Sequence, residues 1–308
     1  MGGVSETVTP DGDDALETPS EGGAAGAHAL DLSEPAPSYR RFDCTDAGSA
    51  ELAEALEAAR TAVEDGECIV LPTDTVYGIG ADAFNGEAVQ RLLDAKMRGR
   101  DMPPPVLIGE PSLIRALATD VPDTAKDLVA QHWPGPLTVI CKIQPSLRMD
   151  LGETEGTIAL RVPDHALARE ILRRTGPMAV SSANLSGKPA ALSCDEAVDQ
   201  LGEEVSVYLD AGTLTATDGA PSTIVDFTQH DGGEVLRRGA LSLEVLRATL
   251  PDLVDLTVVE EAQDEQLPED EPPQDQAQPD ELGEDEPQAG EPGPVAAAGR
   301  EVPPVAGG

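Results

Sequence analysis

Between Ser49 and Leu250, short apolar runs bounded by turn residues alternate with segments whose apolar residues recur three and four positions apart. A chain so patterned must stack helices on a sheet, because each helix and each strand has an apolar face to bury and its sequence neighbours are of the other type. Leu52, Ala55, Leu56, Ala59 and Val63 share one face of a helix over residues 49–65, and Gly66 follows where a left-handed cap is expected. Asn85 can cap a helix carrying Val89, Leu92 and Leu93. Further helices are predicted over residues 164–174, from Ser193, which stands in capping-box spacing to Glu196, and from Ser242. Strands are predicted at residues 68–71, 105–108, 137–142, 157–161, 177–180, 205–209, 222–227 and 234–236. The expected class is α/β, with a mixed, twisted sheet and flanking helices.

The ends of the chain lack that pattern. Residues 1–38 carry eight acidic side chains and no lysine or arginine, and residues 251–308 carry seventeen acidic side chains, ten prolines and one arginine, Arg300. Such compositions bury too little apolar surface to offset the entropy of ordering, so a disordered acidic arm over 1–38 and a disordered, proline-rich tail over 251–308 are expected around one domain at 39–250. Setting the ends aside, the net charge falls from −38 to about −14. A domain so acidic is unsuited to nonspecific nucleic-acid binding over its whole surface, though it leaves room for a local basic pocket. No apolar run reaches the roughly 18 residues of a membrane span, the acidic start does not resemble a signal peptide, and Glu6 stands where a myristoylation motif needs Ser or Thr. A cytoplasmic protein with no membrane partner is expected. Cys44, Cys68, Cys141 and Cys194 form no CxxC pair and read as buried, reduced thiols, and the four histidines share no metal-ligand spacing.

The segment Leu71-Pro72-Thr73-Asp74-Thr75-Val76-Tyr77-Gly78-Ile79-Gly80-Ala81-Asp82 leaves the strand at 68–71, and Pro72 removes a backbone donor there. A polar loop is expected to follow, at the strand end where open α/β sheets collect ligands. Other polar groups fall at comparable places: Arg161, the turn Ser181-Ser182-Ala183-Asn184, Ser222 and Arg237. Lys96, Arg98 and Arg100 stand at alternate positions past a helical pattern, which suits either a polyphosphate ligand or a solvated helix end. Arg161 interrupts an apolar strand, so it grips a ligand carboxylate or phosphate or else an internal carboxylate. The glycines at 78 and 80 fit a dinucleotide fingerprint poorly, because they come late after the strand and no helix starts at once. There is no GxSxG elbow and no P-loop, and no histidine or lysine adjoins Ser181 or Ser182 in sequence, so no covalent nucleophile is assigned.

Together, PTDTVYGIGADA (72–83), KMR (96–98), WPGPLT (133–138), TIALRVPDH (157–165), SSANLSG (181–187), PSTIVD (221–226) and LRRGALS (236–242) resemble the YrdC/Sua5 family of L-threonylcarbamoyladenylate synthases over about residues 60–250. The resemblance implies a YrdC-like twisted sheet around a concave, positively charged cavity. It implies ATP-dependent synthesis of threonylcarbamoyl-AMP from L-threonine and bicarbonate with release of pyrophosphate, assisted by Mg2+ whose ligands are unassigned. The product serves tRNA threonylcarbamoyladenosine (t6A) modification, so tRNA and downstream t6A-transfer proteins are implied further along. Matched by position, Lys96, Arg98, Thr157, Asn184, Ser193 and Arg237 are expected on the ATP side, and Thr73, Thr75, Arg161, Ser182 and Ser222 on the L-threonine side. Ser193 is equally explained as a helix cap.

Three departures stand out. The segment after Arg98 is longer than the common family form, Gly109 occupies a position where many members have histidine, and the acidic ends replace the linker and second domain of longer members, whose linker-gated closure is expected to be absent. An RNA-binding module of the same fold is the alternative from another class, disfavoured by the −14 charge and by having only three tryptophan or tyrosine residues, Trp133, Tyr208 and Tyr39, outside the 72–77 loop. A related carbamoyl-transfer enzyme is a further alternative. Deleting residues 256–308 is expected to leave the melting temperature nearly unchanged, since such a tail contributes few contacts; a large fall in thermal denaturation would mean that it docks on the domain.

Overall fold

Successive strand residues point into two different apolar cores, and the way helices cover those cores decides where a ligand can enter. The computed structural model describes residues 37–257, which fall in one compact unit, and the rest of the two expected acidic ends lies outside the described residues. The strands are β1 (Arg40–Asp43), β2 (Ile69–Leu71), β3 (Gly78–Asp82), β4 (Val106–Leu107), β5 (Ala118–Thr119), β6 (Leu137–Ile143), β7 (Thr157–Arg161), β8 (Met178–Ser182), β9 (Val207–Asp210), β10 (Thr223–Asp226), β11 (Glu234–Arg237) and β12 (Val254–Asp255). The helices are α1 (Ala50–Glu64), α2 (Gly86–Ala95), α3 (Ile114–Leu117), α4 (Asp123–His132), α5 (Ala166–Thr175), α6 (Cys194–Leu201) and α7 (Leu243–Thr249). The caps expected at Asn85 and Ser193 form, and Ser49 and Ser242 cap likewise: each accepts a hydrogen bond from a backbone N–H in the first turn of α2, α6, α1 and α7 respectively.

The strands pair in the order β1-β9-β2-β3-β8-β4-β7-β6-β10-β11-β12, with β5 on β6, and the sheet is mixed. Parallel pairs include β2 with β9 and β6 with β10, while β2 with β3, β3 with β8 and β6 with β7 are antiparallel. On one face, Ile69, Leu71, Met178, Val180, Val207 and Leu209 pack under Leu56, Ala59 and Val63 of α1 and Ile171 and Leu172 of α5. Their neighbours Val70, Ala179 and Tyr208 enter the other core with Leu92 of α2, Leu128 of α4, Leu201 of α6 and Leu246 of α7. Strands β6, β7 and β10 supply buried side chains to this second core alone, through Leu137, Val139, Ile158, Leu160 and Val225. Among the described residues no helix contributes an apolar contact to their opposite face, which lies outside the core under α1 and α5.

The polar loop expected after Pro72 is shorter than the sequence suggests. It ends at Tyr77, and Gly78–Asp82 forms β3, buried between β2 and β8. The two glycines explain the insertion: a Cβ on Gly78 would stand 2.7 Å from Val180 Cγ1, and one on Gly80 would stand 2.8 Å from Met178 Cε. They are packing glycines, and no phosphate loop is built on them.

The tail also begins later than expected. Leu253 is buried, Val254–Asp255 pairs with β11, and Asp255 accepts a 3.0 Å hydrogen bond from Arg238 Nε, so the chain is folded through residue 255. Averaged composition hid this short apolar stretch between acidic residues. Strand β1 and helices α3 and α4 were likewise not foreseen. Gly80→Val overfills the space beneath Val180 and Met178 and should cost about 1 to 3 kcal/mol, lowering the melting temperature by several degrees. An unchanged temperature would mean that β3 can shift at no cost.

Candidate active site

Where α1 and α5 leave the sheet bare, the structure holds a cavity of about 250 Å3. Its floor follows the period of two along the strands: Thr138 and Ile140 from β6, Thr157, Ala159 and Arg161 from β7, and Ile224 from β10. Its walls come from Thr73, Thr75 and Val76 after β2, Ser181 and Ser182 at the end of β8, Leu107 of β4, and Ser222 and Arg237. Arg98, Pro103–Pro105, Leu151 and Thr154 close the remaining side.

Arg161 organises the amino-acid end. Its guanidinium is almost completely buried and makes three contacts: Nη2 donates to Asp74 Oδ1 at 2.6 Å, Nη1 to Thr75 Oγ1 at 3.1 Å and Nε to Gly135 O at 3.1 Å. Two of its five N–H groups are left for a ligand. Thr73 shapes the loop beneath it, because its hydroxyl donates to Val76 O at 2.6 Å, lies 3.0 Å from Thr75 Oγ1 and accepts from the Thr75 and Val76 N–H groups. The internal-carboxylate reading of Arg161 holds, since it pairs with Asp74, and the same side chain also lines the cavity.

Two more guanidinium groups share the cavity. Arg98 Nη1 donates to Ser181 Oγ at 3.1 Å, and its buried Nε has no partner. Arg237 donates to Ser222 O at 2.9 Å and to Ser222 Oγ at 3.1 Å, and Ser222 Oγ lies 2.8 Å from Thr138 Oγ1. Neither arginine ion-pairs with a carboxylate among the described residues. Burial lowers the proton affinity of all three from the ordinary arginine value, and for Arg237 the charges of Arg161 and Arg98 lower it further. Three cations, Arg161 buried, Arg98 half-buried and Arg237 more exposed, with one carboxylate, Asp74, paired to Arg161, form a site short of negative charge.

Of the residues expected from sequence, Thr73, Thr75, Arg98, Thr157, Arg161, Ser182, Ser222 and Arg237 all line this cavity. Lys96, Asn184 and Ser193 do not. Ser193 Oγ accepts from Glu196 N at 3.2 Å, which is the capping role. Lys96 lies behind the 182–184 turn, with its ammonium donating to Ser182 O, to Asn184 O at 2.7 Å and to Asn184 Oδ1 at 3.2 Å. Burial pushes its pKa down to about 8, an effect the three acceptors oppose because they bind the charged form. Asp74, Thr138 and Ser181 were not assigned, although all three stand in the quoted segments and Thr138 shares the exposed parity of its strand. Gly109 packs on the α5 backbone beside Arg169 and Arg173, so the missing side chain there leaves the wall intact; on this strand the wall is Leu107.

Residues 61–239 match the Sua5/YciO/YrdC family model, described as telomere recombination. A Mycobacterium leprae protein provisionally assigned as threonylcarbamoyl-AMP synthase is 50% identical over 202 residues, 66% of this chain and 90% of that protein. The threonylcarbamoyl-AMP synthase of Bacillus subtilis is 35% identical over 212 residues, 68% of this chain and 60% of that protein. The crystal structure of P. abyssi Sua5 complexed with L-threonine superposes with a TM-score of 0.65 at 29% identity, covering 72% of this chain and 64% of that one. This chain thus spans most of the mycobacterial protein and less than two thirds of the other two.

Asp74→Leu removes the carboxylate that balances Arg161 and should cost about 3 kcal/mol, roughly 10 °C in melting temperature. Inorganic triphosphate, which supplies the missing negative charge, should recover part of that loss in thermal denaturation. A neutral effect of the substitution would show that solvent already screens the pair.

Proposed function

The chain belongs to the Sua5/YciO/YrdC family, and from that premise we propose that it is a threonylcarbamoyl-AMP synthase. It uses L-threonine, bicarbonate and ATP, releases pyrophosphate and supplies the activated threonylcarbamoyl group for t6A modification of tRNA. The observation that carries this reading is the convergence of Arg98, Arg161 and Arg237 on one hydroxyl-lined cavity, where among the described residues only Arg161 has an ion-pair partner, Asp74.

Threonine's carboxylate suits the two free N–H groups of Arg161, beside the Thr75 hydroxyl, since a guanidinium grips a carboxylate through parallel hydrogen bonds. Asp74 and Gly135 O hold that guanidinium in place from the other side. The triphosphate belongs with Arg98 and Arg237, and Thr157, Ser181, Ser182 and Ser222 offer hydroxyls between the two ends. The free amine of threonine takes up the carbon of bicarbonate as water is lost, giving a carbamate. A carbamate oxygen then attacks the α-phosphorus, the bond from that phosphorus to the bridging oxygen breaks, and pyrophosphate carries away the electron pair. No protein nucleophile is needed. Holding the reactants in line and neutralising charge that develops on phosphate oxygens is the work left to the protein.

Mg2+ fits this cavity in a limited way. No carboxylate lines it, so the residues present suit an ion carried on the triphosphate, with water and hydroxyls such as those of Ser181 and Ser182 completing its oxygen shell. When bound it would add positive charge along the phosphates. The product is a mixed carbamic-phosphoric anhydride prone to hydrolysis, which fits direct use by t6A-transfer proteins and tRNA. Among the described residues no helix is long and apolar enough to cross a membrane, and the small cavity favours neither an RNA strand nor a stacking surface.

Purified protein given L-threonine, bicarbonate, Mg2+ and ATP should release pyrophosphate only when threonine is present. Arg98→Ala should lower kcat/KM for ATP by about 100-fold. Release that ignores threonine would sink the synthase assignment, and unchanged kinetics in the variant would misplace the triphosphate.

A further inference from the structure

Lys96 is 2% exposed, stands two residues before Arg98 and has no place in the cavity lining. A lysine ammonium has three protons and no acceptor. Here three oxygens converge on it: Ser182 O, Asn184 O at 2.7 Å and Asn184 Oδ1 at 3.2 Å. The contact continues on the main chain, where Ser186 N donates to Lys96 O at 3.0 Å. Asn184, held through its Oδ1, turns its amide to Leu185 O at 2.9 Å and Lys188 O at 2.7 Å. The residue between the two cations, Met97, has a left-handed φ of 51° with an exposed side chain, a conformation that costs energy for a residue other than glycine. Past that bend Arg98 enters the cavity and donates to Ser181 Oγ.

We propose that Lys96 is a positioning residue that fixes the 182–184 turn from behind, so that Ser181 and Ser182 face the substrates, while Arg98 and Arg237 meet the phosphate charge. This departs from the expectation that Lys96 and Arg98 both touch ATP. A compact ammonium suits three converging carbonyl oxygens, whereas the planar fork of an arginine suits a phosphate, so each cation occupies the place its shape fits. The names of the substrates rest on the synthase assignment above, but the placement of Lys96 does not.

The deciding measurement uses the unmodified full-length protein. The 15Nζ resonance of Lys96, assigned by its disappearance in Lys96→Arg, should be sharp in the free protein and keep its position when inorganic triphosphate with Mg2+ is added. A marked shift of that resonance at saturation would place phosphate on the ammonium and overturn the proposal. Lys96→Met and Arg98→Met give a second readout. Lys96→Met should lower the melting temperature of the free protein by several degrees and weaken both threonine and ATP binding by about tenfold or more. Arg98→Met should weaken ATP binding alone. A Lys96→Met protein with normal melting and normal threonine affinity that has lost ATP affinity would also overturn the proposal. If Lys96→Met does not fold, the resonance decides. If pyrophosphate release is absent while the resonance behaves as expected, the synthase assignment fails and the role of Lys96 stands.

Discussion

The buried Arg161–Asp74 pair is the constraint on which the site depends. A guanidinium taken out of water costs several kcal/mol, and the cost is met only when its hydrogen bonds and its charge both find partners. Arg161 finds them in two other chain segments: the loop after β2 through Asp74 and Thr75, and the 133–136 segment through Gly135 O. Each contact ties one wall of the cavity to the floor. The pairing is deliberately incomplete, since Asp74 Oδ2 has no partner and two N–H groups of Arg161 are unused. What folding leaves unsatisfied here is what a zwitterionic substrate can supply.

The cavity exists because the helical layer over one face is too short. Helices α1 and α5 cover the sheet from β1 to β4, and the apolar side chains of that face belong to those strands. On β6, β7 and β10 the same parity carries Thr138, Ile140, Thr157, Ala159, Arg161 and Ile224, a mixture too polar to hold a third helix. The opposite parity of the same strands is apolar except for Thr223 and sits in the core with α2, α4 and α7. A rigid floor is thus built from the buried side, and the ligand takes the place of the missing helix. This arrangement suits a reaction accelerated by orientation, because strands backed by a full core move little.

Much of this was legible in sequence, for identifiable reasons. Strands β6, β7 and β10 and helices α1, α2, α5 and α6 announce themselves through period and caps, and the residues that line the cavity sit in segments that are polar where a core strand should be apolar. Strand β3 was hidden because Gly78 and Gly80 lack strand propensity; they are there for the room they leave to Val180 and Met178, which only the neighbouring strand reveals. Strand β12 was hidden by the acidic residues around Leu253 and Val254. Lys96 could not be separated from Arg98 by sequence, because two cations two residues apart read as one basic cluster until the left-handed turn at Met97 sends them to opposite sides.

The charge distribution also separates two tasks that net charge alone would merge. A domain of about −14 repels polyphosphates and nucleic acids over its surface, while three guanidinium groups lining one cavity concentrate positive potential there. Surface carboxylates are screened beyond about a Debye length, roughly 8 to 10 Å in physiological salt, whereas the buried Arg161 and half-buried Arg98 are screened less. A triphosphate that reaches the cavity mouth therefore feels mainly Arg98, Arg161 and Arg237. Burial has already weakened the hold of these groups on their protons, and the charges of Arg161 and Arg98 weaken that of Arg237 further, so binding an anion relieves a repulsion present in the free protein. Release of pyrophosphate restores that repulsion and leaves an uncharged carbamoyl link between the two remaining ends. The same electrostatic tension that draws the nucleotide in thus resists collapse of the empty cavity onto its own side chains.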